Sequence, residues 1–401
     1  MRKKLVVGFI LFWLGLSAFS YEPKDVVYAN CSAKQEVKAD CSTFVPSAPA
    51  RNVIVFIGDG MGLNEIYAGR VFKNGPQQPL AIEDFPHHSL VKTCSLSGVT
   101  DSAASATALA TGTKTYNGRL GIDPEQKPVE NALELARKAG KAFGLVTTDT
   151  VLGGTPSGFA LHEDSRSACD HLAAEYLSVK PELLMGGGRQ VFKKNNLLEK
   201  AEAEGCHLVF DREGMEKTSS LPLFGLFAEQ EMTFVLDRPN DCKEPTLAQM
   251  TKKALELLSQ DPDGFFLMVE GGRIDHAQHQ AKYQKMIQEV IALDEAVKLA
   301  KEFQAQHPDT LILLTADHET GGLKMRPGKH SKGTAPKAVY TTAIPGITTM
   351  HSAQKVALFG AGPGSELVEK ASDNTQVFCI IKGAMTDHSE KTEDKGCGCQ
   401  K

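Results

Sequence analysis

The sequence predicts a three-layer α/β/α sandwich in which helices cover both faces of a central, mainly parallel sheet. Several short segments are apolar without alternation, which is typical of strands buried on both faces. These segments alternate along the chain with longer segments of helical spacing, the order in which helices connect parallel strands. The chain has 401 residues, of which 41% are hydrophobic and 23% are charged, so it can bury a sizeable core.

The predicted elements follow one another in a regular order. The apolar run from Val53 to Ile57 predicts the first central strand, and residues 129–139 have helical spacing that stops at Gly140, a residue suited to the position after a helix. The segments MGGGR and FGAGPG are interpreted as turns, because neither has the spacing of a phosphate-binding loop. Five later strands are predicted at 141–149, 181–189, 264–272, 310–318 and 354–362, and two helices at 246–260 and 283–304.

The N-terminus, MRKKLVVGFILFWLGLSAFS, has the pattern of a secretory signal peptide. Basic residues precede a short apolar stretch that ends in small residues, so we expect residues 1–20 to be removed. An uncleaved membrane anchor is the alternative, but the apolar stretch is short for a span. We therefore expect an exported protein, periplasmic or secreted, with no membrane span after cleavage. A polar arm at 21–50, a globular domain at 51–385 and a charged tail at 386–401 complete the predicted organisation.

Export favours disulfides, and the chain has nine cysteines, so at least one lacks an intramolecular partner. Cys31 could pair with Cys41, and Cys206 could pair with Cys242, although connectivity cannot be read from a sequence. A Cys-Gly-Cys sequence lies in the C-terminal tail, and no cysteine spacing is typical of a structural zinc site.

The stretch VTDSAASATALATGTKT at 99–115 is rich in small residues, which let a helix pack closely on every side. Ser102 near its start is either a nucleophile at the N-terminus of a buried helix or part of an N-cap with Asp101. The cap is the more common role of such residues, so this stretch alone favours it. Only the rest of the chain can distinguish the two roles.

Three of the predicted strands end in an acid: Asp59, Glu270 and Asp317. Ligands of open α/β sheets bind outside the carboxyl ends of the strands, so we expect these acids to converge on one crevice. Unpaired, their charges would repel one another in a partly dry site. The sequence therefore predicts a bound cation among them.

Histidines near these acids supply nitrogen ligands. Asp275 and His279 are four residues apart, so they share one face if the segment is helical. His318 follows Asp317 at the end of a strand, and His351, expected in a loop, is a candidate third ligand. Each histidine taken singly is more often structural, but carboxylates combined with imidazoles at strand ends indicate a zinc-type site.

Five motifs occur in an order shared with a known family. They are GDGMG at 58–62, TDSAASATALATGTKTYNG at 100–118, VEGGRIDHAQH at 269–279, TADHETGG at 315–322 and the segment around His351. Together they resemble the alkaline phosphatases over roughly residues 50–385. The resemblance implies that 51–385 is a catalytic domain of this family.

The resemblance also implies a role for each matching residue. Ser102 would be the nucleophile that becomes phosphoserine, and Arg166 would bind phosphate with Asp101 as its orienting partner. The metals would be one zinc ion on Asp275, His279 and His351, a second on Asp59, Asp317, His318 and Ser102, and one magnesium ion on Asp59, Thr155 and Glu270.

Two positions depart from the family pattern. Gly153 stands where well-known bacterial members have an acid that supports magnesium through water, and His276 stands where they often have lysine. The magnesium site is therefore expected to be weaker or to take another ion. His276 could contact phosphate through water, and its titration near neutral pH could shape the pH profile.

The predicted function is hydrolysis of small-molecule phosphate monoesters by way of a phosphoserine. Arg166 favours monoesters, because a planar guanidinium suits a dianionic phosphoryl group. The alternatives are a phosphodiesterase or sulfatase-like hydrolase on the same scaffold, or a non-catalytic zinc- or phosphate-binding protein. The formal net charge of −5 argues against nucleic acid as a partner. A homodimer is possible, because dimers are common in the family.

Overall fold

A sheet of nine strands lies at the centre of the protein, whose structure, a computed structural model, describes residues 26–386. The strands in chain order are β1 (Asn52–Gly58), β2 (His87–Val91), β3 (Ala142–Thr150), β4 (Leu183–Gly187), β5 (His207–Val209), β6 (Leu223–Leu226), β7 (Phe265–Gly271), β8 (Thr310–Thr315), β9 (Glu319–Thr320), β10 (Leu323–Met325), β11 (Ala338–Tyr340), β12 (His351–Ser352) and β13 (Val356–Ala361). The sheet has the order β2–β13–β8–β1–β7–β3–β4–β6–β5, and two further strand pairs, β9 with β12 and β10 with β11, lie outside it.

Helices cover this sheet in two layers. They are α1 (Leu63–Lys73), α2 (Ser102–Thr111), α3 (Ala132–Lys138), α4 (Gly154–Ala160), α5 (Cys169–Val179), α6 (Arg189–Lys194), α7 (Leu197–Ala203), α8 (Arg212–Lys217), α9 (Leu247–Leu258), α10 (Arg273–His279), α11 (Tyr283–Gln306) and α12 (Thr375–Met385), with short 3-10 helices at Ala81–Glu83, Val235–Asp237 and Ser365–Lys370. In one layer α11 packs on α1, α9 and α10, and in the other α2 packs on α4 and α12. The predicted α/β/α architecture is confirmed.

The pairing of the strands confirms the mainly parallel sheet. Only β13 runs antiparallel to its neighbours, β8 and β2. The six strands and three helices predicted from apolar spacing are all present. The sequence did not reveal β2, β5 and β6, because β2 begins with two histidines and the other two have only three and four residues. Such short segments carry too little periodicity to be recognised.

Local chemistry explains where the predicted helices begin and end. The Asn131 side chain accepts a hydrogen bond from the backbone N–H of Glu134 at the start of α3, and Thr246 caps α9 in the same way through Gln249. Both pairs form capping boxes, which satisfy N–H groups that lack a partner within the helix. Gly140, just after α3, has a φ of +70°, as expected for a glycine that ends a helix.

The small residues of α2 have a packing role. All ten residues of this helix are buried. A Cβ atom built on Gly158 of α4 would lie 2.7 Å from the Cβ of Ala106, so the two helices touch almost backbone to backbone. The hydroxyls of Ser105 and Thr107 stay satisfied by donating to the carbonyl oxygens of Asp317 and Ala103 at 2.6 and 2.9 Å. Small size therefore sets the depth at which α2 lies beneath the ends of the strands.

The disulfides differ from the predicted pairs. Cys31 is bonded to Cys94, not to Cys41, and Cys41 is bonded to Cys379 of α12. Residues 26–50 form no helix or paired strand of their own, and these two bonds tie them to the globular domain. The predicted Cys31–Cys41 pair was wrong because closeness along a chain does not bring two Cα atoms to the 5.2 and 5.0 Å seen here.

The predicted bond between Cys206 and Cys242 is also absent, and among residues 26–386 these two cysteines and Cys169 are free thiols. Each is only partly exposed, and no constraint of the sequence required them to meet. The expected signal peptide and all but the first residue of the expected tail lie outside the described residues. Within 26–386 no helix has both the length and the apolar character needed to cross a membrane.

The contact between α2 and α4 is testable by overpacking. We expect Gly158→Val to lower the free energy of unfolding by about 1–3 kcal/mol, because its side chain has no room beside Ala106. Gly328→Val is the matched control, since no heavy atom lies within 4 Å of the Cβ position there. Denaturant unfolding of the two variants measures the difference. Equal stability of both would contradict close packing of these helices.

Candidate active site

The site lies where the carboxyl ends of the central parallel strands meet. Asp59 follows β1, Glu270 lies near the end of β7, and Asp317 follows β8 by two residues. These strands are neighbours in the order β8–β1–β7, so the predicted convergence of the three acids is confirmed. Gly60 has a φ of +71°, and a Cβ atom there would lie 2.9 Å from an oxygen of Asp275, so only glycine lets the chain turn this close to the acids.

One donor group consists of Asp275, His279 and His351. The first two lie one turn apart on α10, as predicted, with Asp275 Oδ2 at 3.2 Å from His279 Nε2. His351 Nε2 lies 3.1 Å from His279 Nε2 and 3.8 Å from Asp275 Oδ1. His351 belongs to β12, paired with β9, and not to a loop, so that expectation was wrong. The ladder is only two residues long, too short for the sequence to reveal.

Hydrogen bonds from the Nδ1 atoms of His279 and His351 to backbone carbonyls fix the orientation of both rings. His279 Nδ1 lies 2.7 Å from the carbonyl oxygen of Thr349, and His351 Nδ1 lies 2.8 Å from that of Thr100. A carbonyl oxygen only accepts, so each Nδ1 carries the proton, and in the neutral ring Nε2 presents a lone pair to the site. Two lone pairs 3.1 Å apart beside a carboxylate are the arrangement that a metal ion stabilises.

A second donor group consists of Asp59, Asp317 and His318. His318 Nε2 lies 3.2 Å from Asp317 Oδ2 and 3.6 Å from Asp59 Oδ1. Asp317 is held by the backbone N–H groups of Gly60 and His318, which donate to its other oxygen at 3.1 and 2.9 Å. Ser102 Oγ lies 3.3 Å from His318 Nε2, so the hydroxyl adjoins this group.

The N-cap role that the sequence left open belongs to Asp101, and the nucleophile role of Ser102 stays a prediction. Asp101 is the N-cap of α2, and its Oδ1 accepts from the backbone N–H of Ala104 at 3.0 Å. Ser102 is the first residue of the helix and is 5% exposed. Asp101 Oδ2 accepts from Arg166 Nη1 at 3.2 Å, so the residue that caps the helix also positions the guanidinium beside it.

A third set of oxygen atoms lies around Glu270. The Thr147 hydroxyl donates to one oxygen of Glu270, while the other oxygen, Oε1, and the Thr155 hydroxyl are buried without a hydrogen bond. Asp149, on the neighbouring strand β3, interacts with Glu270 and raises its pKa. Sequence reasoning missed Asp149, although it ends a predicted buried strand exactly as the other acids do.

His276 lies on the Asp149 side of the site. Its Nε2 is 3.9 Å from Asp149 Oδ1, and its Nδ1 is 2.6 Å from Arg273 Nη1. Within 26–386 three groups of residues have ligand atoms close enough to hold a metal ion: Asp275 with His279 and His351, Asp59 with Asp275 and His318, and Asp149 with Glu231 and His276. The predicted contact of His276 with phosphate stays a prediction.

The electrostatics of the site favour bound cations. Burial, together with the neighbouring acids, raises the pKa of Asp59 well above its usual range, that of Asp317 to about 7 and that of Glu270 to about 8. Asp275 is the exception: burial raises its pKa, but in the metal-free protein the three imidazoles beside it, those of His279, His318 and His351, outweigh that effect and lower it. The buried oxygens Asp59 Oδ1, Asp317 Oδ2 and Glu270 Oε1 accept no hydrogen bond from the protein. Unsatisfied buried acids of this kind fit metal ions.

Comparison with known proteins identifies the relatives of this chain. The family model described as alkaline phosphatase matches residues 50–339. Alkaline phosphatase 4 of Bacillus subtilis is 38% identical over 320 residues, which are 74% of this chain and 67% of the relative. Alkaline phosphatase of Escherichia coli is 34% identical over 408 residues, covering 84% of this chain and 86% of the relative.

A solved structure shares the fold. The crystal structure of a cold-active alkaline phosphatase from Shewanella sp. matches with a TM-score of 0.76 and 27% sequence identity. The match covers 84% of this chain and all of the other.

Removing metal ions should make stability depend more steeply on pH. The raised pKa values of Asp317 and Glu270, about 7 and about 8, mean that the folded metal-free protein holds protons that the unfolded chain releases above about pH 4. These two groups therefore contribute a stability to the metal-free protein that is full below about pH 4 and is lost as the pH rises from there to about 8. Bound cations replace those protons, so we expect the gap in Tm between loaded and metal-free protein to widen from about pH 5 to about pH 8.

Calorimetry of both forms at each pH measures this gap. Protein stripped of metal and then reloaded is the control for damage during removal. A gap that is constant or narrower at the higher pH would contradict the electrostatic account of the site.

Proposed function

Because this chain belongs to the alkaline phosphatase family, we propose that it hydrolyses phosphate monoesters through a phosphorylated Ser102, with two zinc ions and a third metal ion in its site. The position of Ser102 carries this proposal. The hydroxyl lies at the N-terminus of a buried helix, 3.3 Å from His318 Nε2. Arg166 donates a hydrogen bond to Asp101, the residue before Ser102. A nucleophile, metal ligands and a phosphate-binding guanidinium therefore lie close together.

The chemistry of the donors supports the assignment of the metals. The two donor groups next to Ser102 combine imidazole with carboxylate, which suits zinc. These are Asp275 with His279 and His351, and Asp59 with Asp317 and His318. Glu270, Thr155 and Asp59 offer only oxygen, which suits magnesium. When bound, the cations lower the pKa of the serine hydroxyl and neutralise charge on the phosphoryl group.

The residues of the chain bind and orient the ester. The N-terminus of α2 favours the negative phosphoryl group, since unpaired N–H groups and the helix dipole both point there. Asp101 accepts hydrogen bonds from Ala104, Gly118 and Arg166, so the Arg166 guanidinium is fixed where two phosphoryl oxygens can pair with its fork. Close packing of α2 then limits the movement of Ser102 during attack.

The reaction proceeds in two displacements. Ser102 Oγ, having lost its proton, forms a bond to phosphorus while the bond from phosphorus to the ester oxygen breaks. The alcohol leaves with a proton from solvent. Water then attacks phosphorus, the bond to Ser102 Oγ breaks, and phosphate is released as the serine regains a proton. Two in-line steps give net retention of configuration at phosphorus.

We also propose that the protein is exported after cleavage following Ser20. The bonds Cys31–Cys94 and Cys41–Cys379 support this, because disulfides persist mainly in oxidising compartments. Assembly as a homodimer stays a prediction that a measurement of mass in solution would test.

The role of Ser102 is tested by Ser102→Ala. We expect turnover of an aryl phosphomonoester to fall at least ~10³-fold, while zinc content and Tm stay at wild-type values. Acid quenching of the wild type during turnover should yield a phosphorylated peptide that contains Ser102, and the variant should yield none. Ser178→Ala, at an exposed position of α5, is the matched control and should behave as the wild type. Retained turnover, or a phosphorylated peptide elsewhere, would contradict the assignment.

A further inference from the structure

The third metal position lacks one expected side chain in this protein. Residue 153 is glycine and supplies no ligand. The remaining oxygens, Asp59 Oδ1, Glu270 Oε1 and Thr155 Oγ1, are buried and lack hydrogen bonds of good geometry, so they are free to bind an ion. A buried site with few anionic donors would hold Mg²⁺ poorly, because that ion prefers carboxylate and other hard oxygen ligands.

The carboxylate of Asp149 fills the space that glycine leaves. A Cβ atom built on Gly153 would lie 2.5 Å from Asp149 Oδ2, so a side chain at 153 and the Asp149 carboxylate exclude each other. A Cβ atom built on Gly272 would lie 2.8 Å from Asp149 Cβ and 3.3 Å from Glu270 Cδ. Asp149 therefore lies close to both Gly153 and Glu270.

Asp149 lacks a close cationic partner, although the backbone N–H of Thr150 donates a hydrogen bond to its carboxylate. The residue is only 7% exposed, and its Oδ1 makes no hydrogen bond within the described part of the chain. The nearest cationic candidate is His276 Nε2, at 3.9 Å, which is too long for a hydrogen bond. A buried carboxylate left in this state is costly unless an ion completes it.

His276 lies beside Asp149 but is poorly suited to bind the metal itself. Arg273 Nη1 always carries protons, so it donates to His276 Nδ1 at 2.6 Å. In the neutral ring the remaining proton is then on Nε2, the nitrogen that faces Asp149. Neither nitrogen has a free lone pair for an ion, which leaves the carboxylate of Asp149 as the donor.

We propose that Asp149, supplied by β3, completes the third metal site together with Asp59, Glu270 and Thr155, in place of a side chain at position 153. The ion is a divalent cation that prefers oxygen, Mg²⁺. This inference rests on the proposed function, because it concerns the third ion of that site. It would give a chain with Gly153 a carboxylate for the site.

The inference is tested by metal content and not by activity alone. After loading with Zn²⁺ and Mg²⁺, we expect Asp149→Asn to bind Mg²⁺ at least ~10-fold more weakly than wild type, with two zinc ions per chain in both. Elemental analysis after dialysis gives both numbers, and the rise of Tm with Mg²⁺ concentration gives the affinity independently. Asp241→Asn, at an exposed position, is the matched control and should bind as the wild type does.

Moving the carboxylate provides a second test. Gly153 has a φ of −59°, which any residue can adopt, so an aspartate is permitted there once residue 149 is small. We expect Asp149→Ala to lose Mg²⁺ and the double variant Asp149→Ala/Gly153→Asp to recover it. Recovery would not occur if Asp149 only supported the fold.

Failure of this inference can be distinguished from failure of the proposed function. Wild-type Mg²⁺ affinity in Asp149→Asn, or equal loss of zinc and magnesium, would overturn the inference. Zinc-dependent turnover of a monoester by a wild type that binds no Mg²⁺ would overturn it and leave the proposed function intact. Absence of both zinc binding and turnover in the wild type would overturn the proposed function as well.

Discussion

The whole site depends on one electrostatic constraint, the crowding of buried acids at one edge of a parallel sheet. Asp59, Asp317 and Glu270 come from adjacent strands, and burial raises the pKa of each. One carboxylate oxygen of each accepts no hydrogen bond from residues 26–386. Such a cluster is unfavourable when ionised unless cations neutralise it. The fold therefore places negative charge that must be neutralised at this edge of the sheet, and bound metal ions would neutralise it.

The elements of the fold hold the reacting groups next to that cluster of acids. Parallel pairing brings the ends of β8, β1, β7 and β3 to one edge, so each strand delivers an acid without a long loop. The helix α2 belongs to one helical layer, and its small side chains let it pack closely enough for Ser102 to lie beside His318 and the acids. From the other layer α10 presents its carboxylate and imidazole. Catalytic groups on rigid elements are held more precisely than groups on loops.

The sequence predicted those parts of the site that follow from strong local patterns. Apolar runs located the strands, acids at their ends located the crevice, and the spacing of Asp275 and His279 located one face of a helix. The disulfides could not be predicted, because Cys41 and Cys379 are 338 residues apart and meet only through tertiary packing. Asp149 was missed although it ends a buried strand as the other acids do. Its proposed role depends on its position beside Gly153, which only three-dimensional structure reveals.

The most direct test of this account compares two esters under control of the metal. The purified mature protein would be assayed with an aryl phosphomonoester and its matching diester, first as isolated, then after chelation, and then after zinc is returned. The account predicts that chelation abolishes turnover, and that zinc restores it with a strong preference for the monoester. Turnover that survives complete removal of metal, or that favours the diester after zinc is returned, would contradict it.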